Sequence, residues 1–248
     1  MLQRLVSKDI PVGIGYYTVP EAARLIRVPS LSIRRWLSGY TYATRDGERR
    51  TVPPLWTPQI PAFEKQIELG FRDLIELRFV AAFLDAGLGI QTIRRCLDHA
   101  RAHVDDERPF STRRFRTDGK TIFFEFAERA ISAESDTSDL PREDRQTLID
   151  LKNRQFAFRD VIAQTFKDLD LDDDVVARWR PFRGKDTIVI DPQRAFGQPI
   201  ATSSGVPTAR LASALKAEGY AQRVALLYDV PVRVVRDAEK FENELAAA

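Results

Sequence analysis

The segment from Thr18 to Leu37 constrains the fold more than any other part of this chain, because it predicts two short helices joined by a tight turn. Thr18 and Glu21 have the spacing of a capping box, in which a hydroxyl and a carboxylate satisfy free amides at the start of a helix. Ser30 is placed to cap the second helix. Apolar residues on both helices are spaced so that the helices can face each other: Ala22, Ala23, Ile26, Ile33, Trp36 and Leu37.

The second helix carries polar and cationic residues away from this apolar contact, namely Ser32, Arg34 and Arg35. Serine and arginine are side chains that bond phosphate oxygens and guanine edges. We therefore expect a DNA-reading helix-turn-helix. We also place Thr18, at the start of the first helix, among the DNA-contacting residues.

Residues 40–52 predict a β-hairpin directly after the second helix. Tyr40 to Thr44 alternates in the manner of a strand, residues 45–48 (Arg-Asp-Gly-Glu) supply a turn, and Arg49 to Val52 returns. Such a hairpin would be a wing beside the recognition helix. Its cations, Arg45, Arg49 and Arg50, would lie along the phosphate backbone, where counterion release adds affinity without sequence information.

Positive charge is concentrated in the same part of the chain. Residues 1–60 contain nine Lys and Arg against four Asp and Glu, whereas the whole chain has a formal net charge of only +2. A basic segment of this kind favours a nucleic-acid partner. The alternative is a solvated basic surface on a small helical domain.

These residues resemble the MerR-type winged helix-turn-helix. Tyr17 to Ala23 matches the opening motif of that family, which is aromatic, Thr, hydrophobic, any residue, Glu, Ala and Ala. Ser32 to Trp36 matches a second motif, Thr-Leu-Arg-aromatic-aromatic, except at Arg35. The resemblance implies DNA contact by Arg34, while Arg35 is an exposed cation whose target is open. Gly47 and Arg49 fall where such wings carry a Gly and an Arg. No long heptad-patterned helix follows, unlike in effector-sensing members.

The composition is that of an ordinary soluble globular protein, with 248 residues, 44% hydrophobic and 30% charged. The single cysteine excludes an intramolecular disulfide. The first ten residues lack the apolar core of a signal peptide, and no apolar run approaches the length of a membrane span. We expect a cytoplasmic protein that does not interact with membranes.

The pattern of apolar residues suggests three parts: residues 1–110, 111–186 and 187–248. Phe71 to Val104 predicts two helices, broken at Gly87 to Gly89, that complete the winged domain. In the connecting segment, Phe115 to Phe126 alternates around Asp118-Gly119 and predicts a second β-hairpin. A polar linker at Ser132 to Asp139 follows, and then a helix on which Phe158, Ile162, Phe166 and Leu169 share one face.

The last part predicts a strand at Thr187 to Ile190 followed by three helices. Thr208 is placed to cap the first helix, which ends at Gly219, Gln222 to Leu227 forms the second, and Pro231 opens the third. The third helix has a buried stripe made of Val234, Ala238, Phe241 and Leu245, with Arg233, Arg236 and Lys240 on another face. The expected fold class is mainly α with small β-hairpins, that is, α+β.

The last part resembles the compact domain of VapB-type antitoxins, whose genes lie beside those of PIN-like ribonuclease toxins. The resemblance rests on Ile188 to Pro192, Gly197 to Ile200, Gly205 to Thr208, Glu218-Gly219, Val224-Ala225 and Tyr228. It implies that the protein neutralises a cognate PIN-like toxin and binds operator DNA to regulate its own operon, as a homodimer or a hetero-oligomer with the toxin. A basic residue common ahead of the first helix of this domain is missing at Ser203 to Gly205.

We expect the cations of this last domain to contact the toxin. Arg233 and Arg236 are the first candidates, with Lys240 beside them and Arg223 in reserve. A guanidinium can bond two carboxylate oxygens at once, and the resemblance implies a toxin whose active site holds metal through clustered carboxylates. The same side chains could instead contact phosphates through a second helix-turn-helix.

Two further clusters could bind metal. Cys96, His99 and His103 lie near one face of a predicted helix. The helix rises about 10 Å from Cys96 to His103, which is too far for all three side chains to bind one zinc ion. The alternative that stays open is a site with two ligands from this helix, completed by another chain. Asp168, Asp170 and Asp172 imitate a calcium loop without its Gly and Glu, and we expect an acidic solvated loop.

No Gly-rich phosphate loop or nucleophile motif is present in the sequence. We therefore expect no enzymatic activity and no cofactor. The main alternative is a MerR-like regulator whose middle and last parts bind a small molecule. A metal-dependent enzyme that uses the acidic cluster at residues 168–174 is a weaker alternative.

Overall fold

The computed structural model of this protein describes residues 13–132 and 155–248, except residues 45, 63 and 65; for residues 129–132 and 155–159 it describes the backbone alone. The described residues are mostly helical, with small antiparallel sheets, which confirms the expected α+β class. From residue 133 onward, the predicted polar linker lies outside the described residues. No helix among the described residues is long and apolar enough to cross a membrane.

The N-terminal part begins with the predicted helix pair. Strand β1 (Tyr17–Thr18) leads into helices α1 (Val19–Ile26) and α2 (Ser30–Ser38). The predicted wing follows as strands β2 (Tyr40–Ala43) and β3 (Arg49–Val52), which pair in antiparallel register. Strand β4 (Glu68–Leu69) pairs with β1 and returns the chain to the start of α1.

Two longer helices follow where the sequence predicts them. Helix α3 (Phe71–Asp85) is buried along most of its length, and α4 (Ile90–Val104) follows after a break in which Gly87 has a positive φ of 92°. Phenylalanine rings from α3 and the elements packed on it lie with centroids 4.9–6.2 Å apart around Phe79. This aromatic cluster links the helix-turn-helix part to the middle of the chain, because both belong to one hydrophobic core.

The predicted hairpin between Phe115 and Phe126 is wrong, because this stretch belongs to helix α5 (Arg113–Ser132). Phe124, which the alternating pattern would bury, is only half-buried. The buried residues of α5 follow a helical spacing instead: Phe115, Ile122, Phe123, Phe126 and Ala127. Gly119 is no turn residue. A Cβ there would lie 3.2 Å from the Ile162 Cδ1 atom, so the glycine lets the next helix approach closely.

That next helix, α6 (Gln155–Phe166), confirms the predicted helical segment up to Phe166 and leads into a four-stranded antiparallel sheet. The prediction that Leu169 belongs to this helix is wrong, because Leu169 is the first residue of a strand. Its strands are adjacent in chain order: β5 (Leu169–Asp172), β6 (Val175–Trp179), β7 (Ile188–Ile190) and β8 (Pro199–Ala201). Residue 187, where the last part is predicted to begin, lies between strands of this one sheet, and the division into three parts stays a prediction.

Asp168 and Asp170 do not lie in the predicted solvated loop, whereas Asp172, at the end of β5, is exposed as predicted. Asp168 accepts bonds from the Arg78 guanidinium at 2.5 Å and from the Trp179 indole at 3.1 Å. Asp170 pairs with Arg180, which follows directly after β6, at 2.5 Å. Paired charges of this kind are stable inside a protein, since each carboxylate keeps hydrogen-bond donors that replace water.

Three helices complete the chain at the predicted places: α7 (Thr208–Glu218), α8 (Ala221–Tyr228) and α9 (Val232–Ala246). They share a small apolar core, and the predicted stripe of α9 faces inward, with Leu245 half-buried. Thr208 does not cap α7, because the helix begins at Thr208 itself, after Pro207. Its hydroxyl bonds the Pro199 carbonyl and Glu242 instead, which ties α7 to β8 and α9.

Candidate nucleic-acid interface

The start of α1 has the capping geometry that the sequence predicts. The Glu21 amide donates to the Thr18 hydroxyl at 3.4 Å, and the Glu21 carboxylate accepts from the Thr18 amide at 2.8 Å and from its hydroxyl at 2.7 Å. Thr18 is half-buried and its side chain is used in this cap. Its contact with DNA stays a prediction.

The turn between α1 and α2 depends on three consecutive residues. Arg27 ends α1 in the left-handed conformation, with φ 57° and ψ 45°. The Val28 amide then bonds the Ala23 carbonyl at 3.0 Å, which closes the end of α1. Pro29 stands at the N-cap of α2, and the prediction that Ser30 caps this helix is wrong: Ser30 is already the first helical residue, and α2 has no side-chain cap.

Helix α2 buries one face and exposes the other. Ile33, Trp36 and Leu37 are buried against the core, with at most 9% of each residue exposed. Arg34 and Arg35 are exposed, whereas Ser32 is half-buried and lies at the edge of the outer face. The outer face also carries an apolar residue that the sequence analysis did not select, since Leu31 is 64% exposed.

Helix α2 and the wing are joined through Gly39, which ends α2 with φ 68° and ψ −177°. A Cβ at this position would come closer than 3.0 Å to the Val52 carbonyl oxygen. Arg35 reaches across the same junction, with its Cζ atom 5.2 Å from the centroid of the Tyr40 ring. This cation–π contact holds the Arg35 guanidinium beside the first residue of the wing.

The wing exposes two of the three cations predicted for it. Its turn is closed by the Thr44 amide, which donates to the Glu48 carbonyl at 2.8 Å. Arg49 and Arg50 are exposed, and Arg50 lies 3.7 Å from the Glu48 carboxylate in a solvent-exposed pair that contributes little energy. Arg45 lies outside the described residues.

Two arginines of α4 hold the base of the wing, and sequence reasoning missed them. The Arg94 guanidinium donates to the Pro53 and Pro54 carbonyls at 2.7–2.8 Å. Arg101, two turns further along α4, donates to the next carbonyl, that of Leu55, at 2.9 Å. The stem of the wing is thus anchored to α4 through side chains that lie at least 40 residues away in the sequence, so no local pattern could reveal them.

The second supporting contact centres on Asp73, which is completely buried near the start of α3. Its carboxylate accepts from the Trp56 indole at 3.0 Å, the Arg108 guanidinium at 2.7 Å, and the Gly70 amide at 2.9 Å. A buried carboxylate with this many donors fixes the loop after the wing against α3.

The turn of the C-terminal helices repeats that of the N-terminal pair. Asp229 ends α8 in the left-handed conformation, with φ 51° and ψ 52°, and the Val230 amide bonds the Ala225 carbonyl at 3.0 Å. Pro231 is the N-cap of α9, with φ −59° against −56° at Pro29. The Val-Pro dipeptides at 28–29 and 230–231, each after an eight-residue helix, are the sequence signal of this repeat.

Burial also follows the repeat, if the two turns are superimposed. Ile33 of α2 corresponds to Val235 of α9, and both are fully buried. Arg34 corresponds to Arg236, and both are exposed. The tail formed by α7, α8 and α9 therefore contains a second helix-turn-helix, with an exposed arginine at the position that Arg34 takes in the first.

The cations predicted to contact a toxin lie on the surface of the tail. Arg233 and Arg236 are exposed on α9, and Lys240 lies with its Nζ atom 6.0 Å from the Phe182 ring centroid. Arg223 pairs with Glu218 at 3.0 Å. Helix α8, which carries Arg223, and the residue before it expose large apolar side chains that the sequence analysis did not select: Tyr220 by 71%, Leu226 by 86% and Leu227 by 67%.

The predicted metal candidates are partly separated by the fold. Cys96 is buried, and this burial raises the pKa of its thiol to about 12, so the metal-binding thiolate is disfavoured. His99 and His103 lie side by side on α4 and face α5. Among the described residues, Asp168 to Asp174 form no cluster of metal-ligand geometry.

The N-terminal geometry defines a helix-turn-helix domain with a β-hairpin wing, and comparison with known proteins agrees. Residues 15–97 match the family described as "Putative DNA-binding HTH domain". Over 232 residues the chain is 29% identical to a Mycobacterium tuberculosis protein named "Putative antitoxin VapB45", and the match covers 93% of each chain. The crystal structure of Rv2018 from Mycobacterium tuberculosis has a TM-score of 0.64 at 25% identity, covering 92% of this chain and 97% of that one.

Proposed function

We propose that this protein is a cytoplasmic antitoxin that binds the operator of its own operon and neutralises a PIN-like ribonuclease toxin, without a catalytic activity or cofactor of its own. The DNA-binding half of the proposal rests on the exposure of Arg34 and Arg35 on α2, next to a wing that exposes Arg49 and Arg50. The antitoxin half rests on the similarity to the named antitoxin, since that similarity extends over nearly the whole chain.

DNA binding would follow the MerR-like pattern. Arg34 would pair with a guanine edge in the major groove, and Arg49 and Arg50 would contact backbone phosphates. One recognition helix reads only a few base pairs, so we propose that the protein binds as part of a two-fold assembly on spaced half-sites.

Footprinting and binding titrations on the protein's own promoter test this half. Arg34→Ala should weaken operator binding roughly 5- to 150-fold, because a bidentate pair with guanine contributes about 1–3 kcal/mol of discrimination. Arg49→Ala should weaken binding to all sequences alike and reduce the salt slope by about 1. Arg114→Ala is the matched control, since Arg114 is an exposed cation of α5. Unchanged affinity of a folded Arg34→Ala protein would rule out the recognition-helix assignment.

Toxin neutralisation would use the exposed cations of α9. Arg233 and Arg236 lie one turn apart on a helix that is anchored by its buried face, so a partner has to immobilise only their side chains and not the backbone that carries them. We propose that one of these guanidinium groups enters the carboxylate cluster of the nuclease and competes with its metal ion. Lys240 and Arg223 would add charge at the edge of this contact.

The repeated turn favours a second candidate function for the same residues. Because Arg236 takes the position of Arg34, α9 could be a second DNA-reading helix. In that case the tail would add phosphate or base contacts to the operator complex. The exposed apolar residues on α8 argue for a protein partner instead, since such surfaces mark interaction sites for proteins.

A double charge reversal separates the two roles. Arg233→Glu with Arg236→Glu should abolish inhibition of the purified toxin while operator binding by the isolated protein stays nearly unchanged. Arg210→Glu with Lys216→Glu on α7 is the matched control, because it reverses two exposed cations elsewhere in the tail. Full inhibition by the α9 variant would refute the cation mechanism, and loss of operator binding would assign α9 to DNA.

A cleft favours the alternative of a ligand-responsive regulator. It has a volume of about 720 Å³ and lies where α1, α3, α6 and α9 meet. Several cations line it: Arg27, Arg78, Arg183, Lys185 and Lys240. A neighbouring reading frame with the spaced carboxylates of a PIN-like nuclease would support the antitoxin, whereas a change in DNA affinity caused by a small molecule would support the regulator.

A further inference from the structure

The two histidines of this chain lie next to each other and share one carboxylate. His99 and His103 are one turn apart on α4, with ring centroids 4.3 Å from each other. Glu125 approaches both of them from α5, the helix that packs alongside α4. The third group therefore comes from a different helix, which removes the geometric objection to three ligands on a single helix.

The distances between the donor atoms suit one metal ion. Glu125 Oε2 lies 2.9 Å from His103 Nε2 and 3.9 Å from His99 Nε2, and one donor atom of each residue lies within 4.8 Å of the other two. In a tetrahedral zinc site with ligands at about 2.0–2.2 Å, neighbouring ligand atoms stand about 3.4 Å apart. The two distances from Glu125 to the histidines lie on either side of that value, so small side-chain rotations would bring both of them to it.

The orientation of His103 also suits a metal ligand. Its Nδ1 atom lies 3.2 Å from the His99 carbonyl oxygen, and a proton on Nδ1 is donated to that carbonyl. The Nε2 lone pair then points at the Glu125 carboxylate, and two acceptors 2.9 Å apart repel each other unless a positive charge lies between them. Metal-bound histidines characteristically donate the other ring N–H to a carbonyl or a carboxylate in this way.

The surroundings leave one side of the site open. The side chains of His99, His103 and Glu125 are 11%, 34% and 44% exposed, so the pocket deepens toward His99 and opens to solvent at Glu125. The Phe126 ring, with its centroid 6.1 Å from that of His99, forms part of an apolar wall. A water molecule or a further ligand can reach the open side.

We propose that His99, His103 and Glu125 bind one divalent transition-metal ion, with Zn²⁺ as the best fit to two imidazoles and one carboxylate. The fourth position is filled by water or by a ligand from a partner. The ion joins α4 to α5, and it thereby fixes the helix-turn-helix domain to the helix that continues the chain. A shared proton, which would make His103 an imidazolium paired with Glu125, is the competing arrangement.

Metal titration of the full chain tests the proposal. After removal of any affinity tag and treatment with a chelator, the protein should bind one equivalent of Zn²⁺ by calorimetry. Co²⁺ should produce the visible absorption of a low-coordinate site. Saturation at about 100 times Kd should raise the apparent Tm by roughly 5 °C, because the ion stabilises only the folded state.

Variants identify the ligands. Glu125→Gln should lower Zn²⁺ affinity at least tenfold and remove the Tm shift, while Glu125→His, which restores a donor atom, should recover most of the affinity. Asp98→Asn is the matched control, because it removes an exposed carboxylate of α4 that pairs with Arg101. The proposal is wrong if the folded wild-type protein takes up no Zn²⁺ or Co²⁺ at micromolar concentrations, or if Glu125→Gln binds as tightly as the wild type.

Discussion

Gly39 should be one of the least replaceable residues of the N-terminal helix-turn-helix domain. It ends helix α2 and begins the wing, with φ 68° and ψ −177°, a backbone conformation that is essentially restricted to glycine. A Cβ on this residue would also overlap the Val52 carbonyl oxygen and would lie 3.0 Å from the Pro53 carbonyl carbon. We therefore expect Gly39→Ala to destabilise the protein for two separate reasons.

The structure gives the size of both effects. The backbone conformation alone costs an alanine about 1–3 kcal/mol. The overlap is with main-chain atoms, so strand β3 has to move by roughly 1 Å, and overpacking of this kind costs about 1–3 kcal/mol more. Together these terms predict a loss of about 2–6 kcal/mol, which for a chain of this size lowers Tm by roughly 4–12 °C.

Gly47 provides a matched control, because it has a similar positive φ of 82° at the tip of the same wing, but a Cβ added there would meet no atom within 4 Å. Gly47→Ala should therefore cost only about 1 kcal/mol. Both variants and the wild type would be compared by urea unfolding and by thermal unfolding. If Gly39→Ala and Gly47→Ala lower the free energy of unfolding by the same amount, the close contact between Gly39 and the end of β3 does not fix the wing, and the prediction is wrong.

Three further predictions concern the interior. Burial raises the pKa of the Glu76 carboxyl from 4.5 to about 7, so between pH 4.5 and pH 7 the folded state keeps a proton that the unfolded state loses. The contribution of this group to the free energy of unfolding therefore falls by about 3 kcal/mol as the pH rises from 4.5 to 7. In urea unfolding near pH 5 and pH 7.5, the free energy of unfolding of Glu76→Gln should change less with pH than that of the wild type. The same pH dependence in both proteins would contradict this prediction. Gly119→Ala should change the free energy of unfolding by less than about 1 kcal/mol, since the better helix propensity of alanine offsets the tight contact. If Gly119 were instead the turn residue of a hairpin, the substitution would lower the free energy of unfolding by more than this. Phe79→Ala should cost about 3–5 kcal/mol in urea unfolding, while Phe196→Ala, at a residue 72% exposed, should cost under about 0.5 kcal/mol.

The helix-turn-helix could be predicted because its signals are local. The capping pair Thr18 and Glu21, the apolar spacing and the short turn all lie within about 20 residues, and they agree with one another. The tail helices were predicted for the same reason, from Gly219, Pro231 and the stripe of α9. The wrong cap assignments at Ser30 and Thr208 differ from the structure by one residue, because in each case a proline takes the N-cap position.

Helix α5 could not be predicted from its own residues. Ile122, Phe124 and Phe126 alternate around an Asp-Gly pair, and this pattern fits a strand as well as a helix. The packing of other elements around α5 decides between the two, since it buries the adjacent residues Ile122 and Phe123, which a strand would point to opposite faces. Tertiary packing therefore overrides the local pattern here.

The sequence by itself determined the two helix-turn-helix units, the wing and the exposed arginines, because capping, turn conformation and helical periodicity act between residues that are neighbours along the chain. Only the tertiary structure decided which distant groups meet. It placed Glu125 opposite His99 and His103, paired Arg78 with Asp168, and anchored the wing through Arg94. Such contacts depend on how whole helices pack, and packing is a property of surfaces that are assembled from separate parts of the chain.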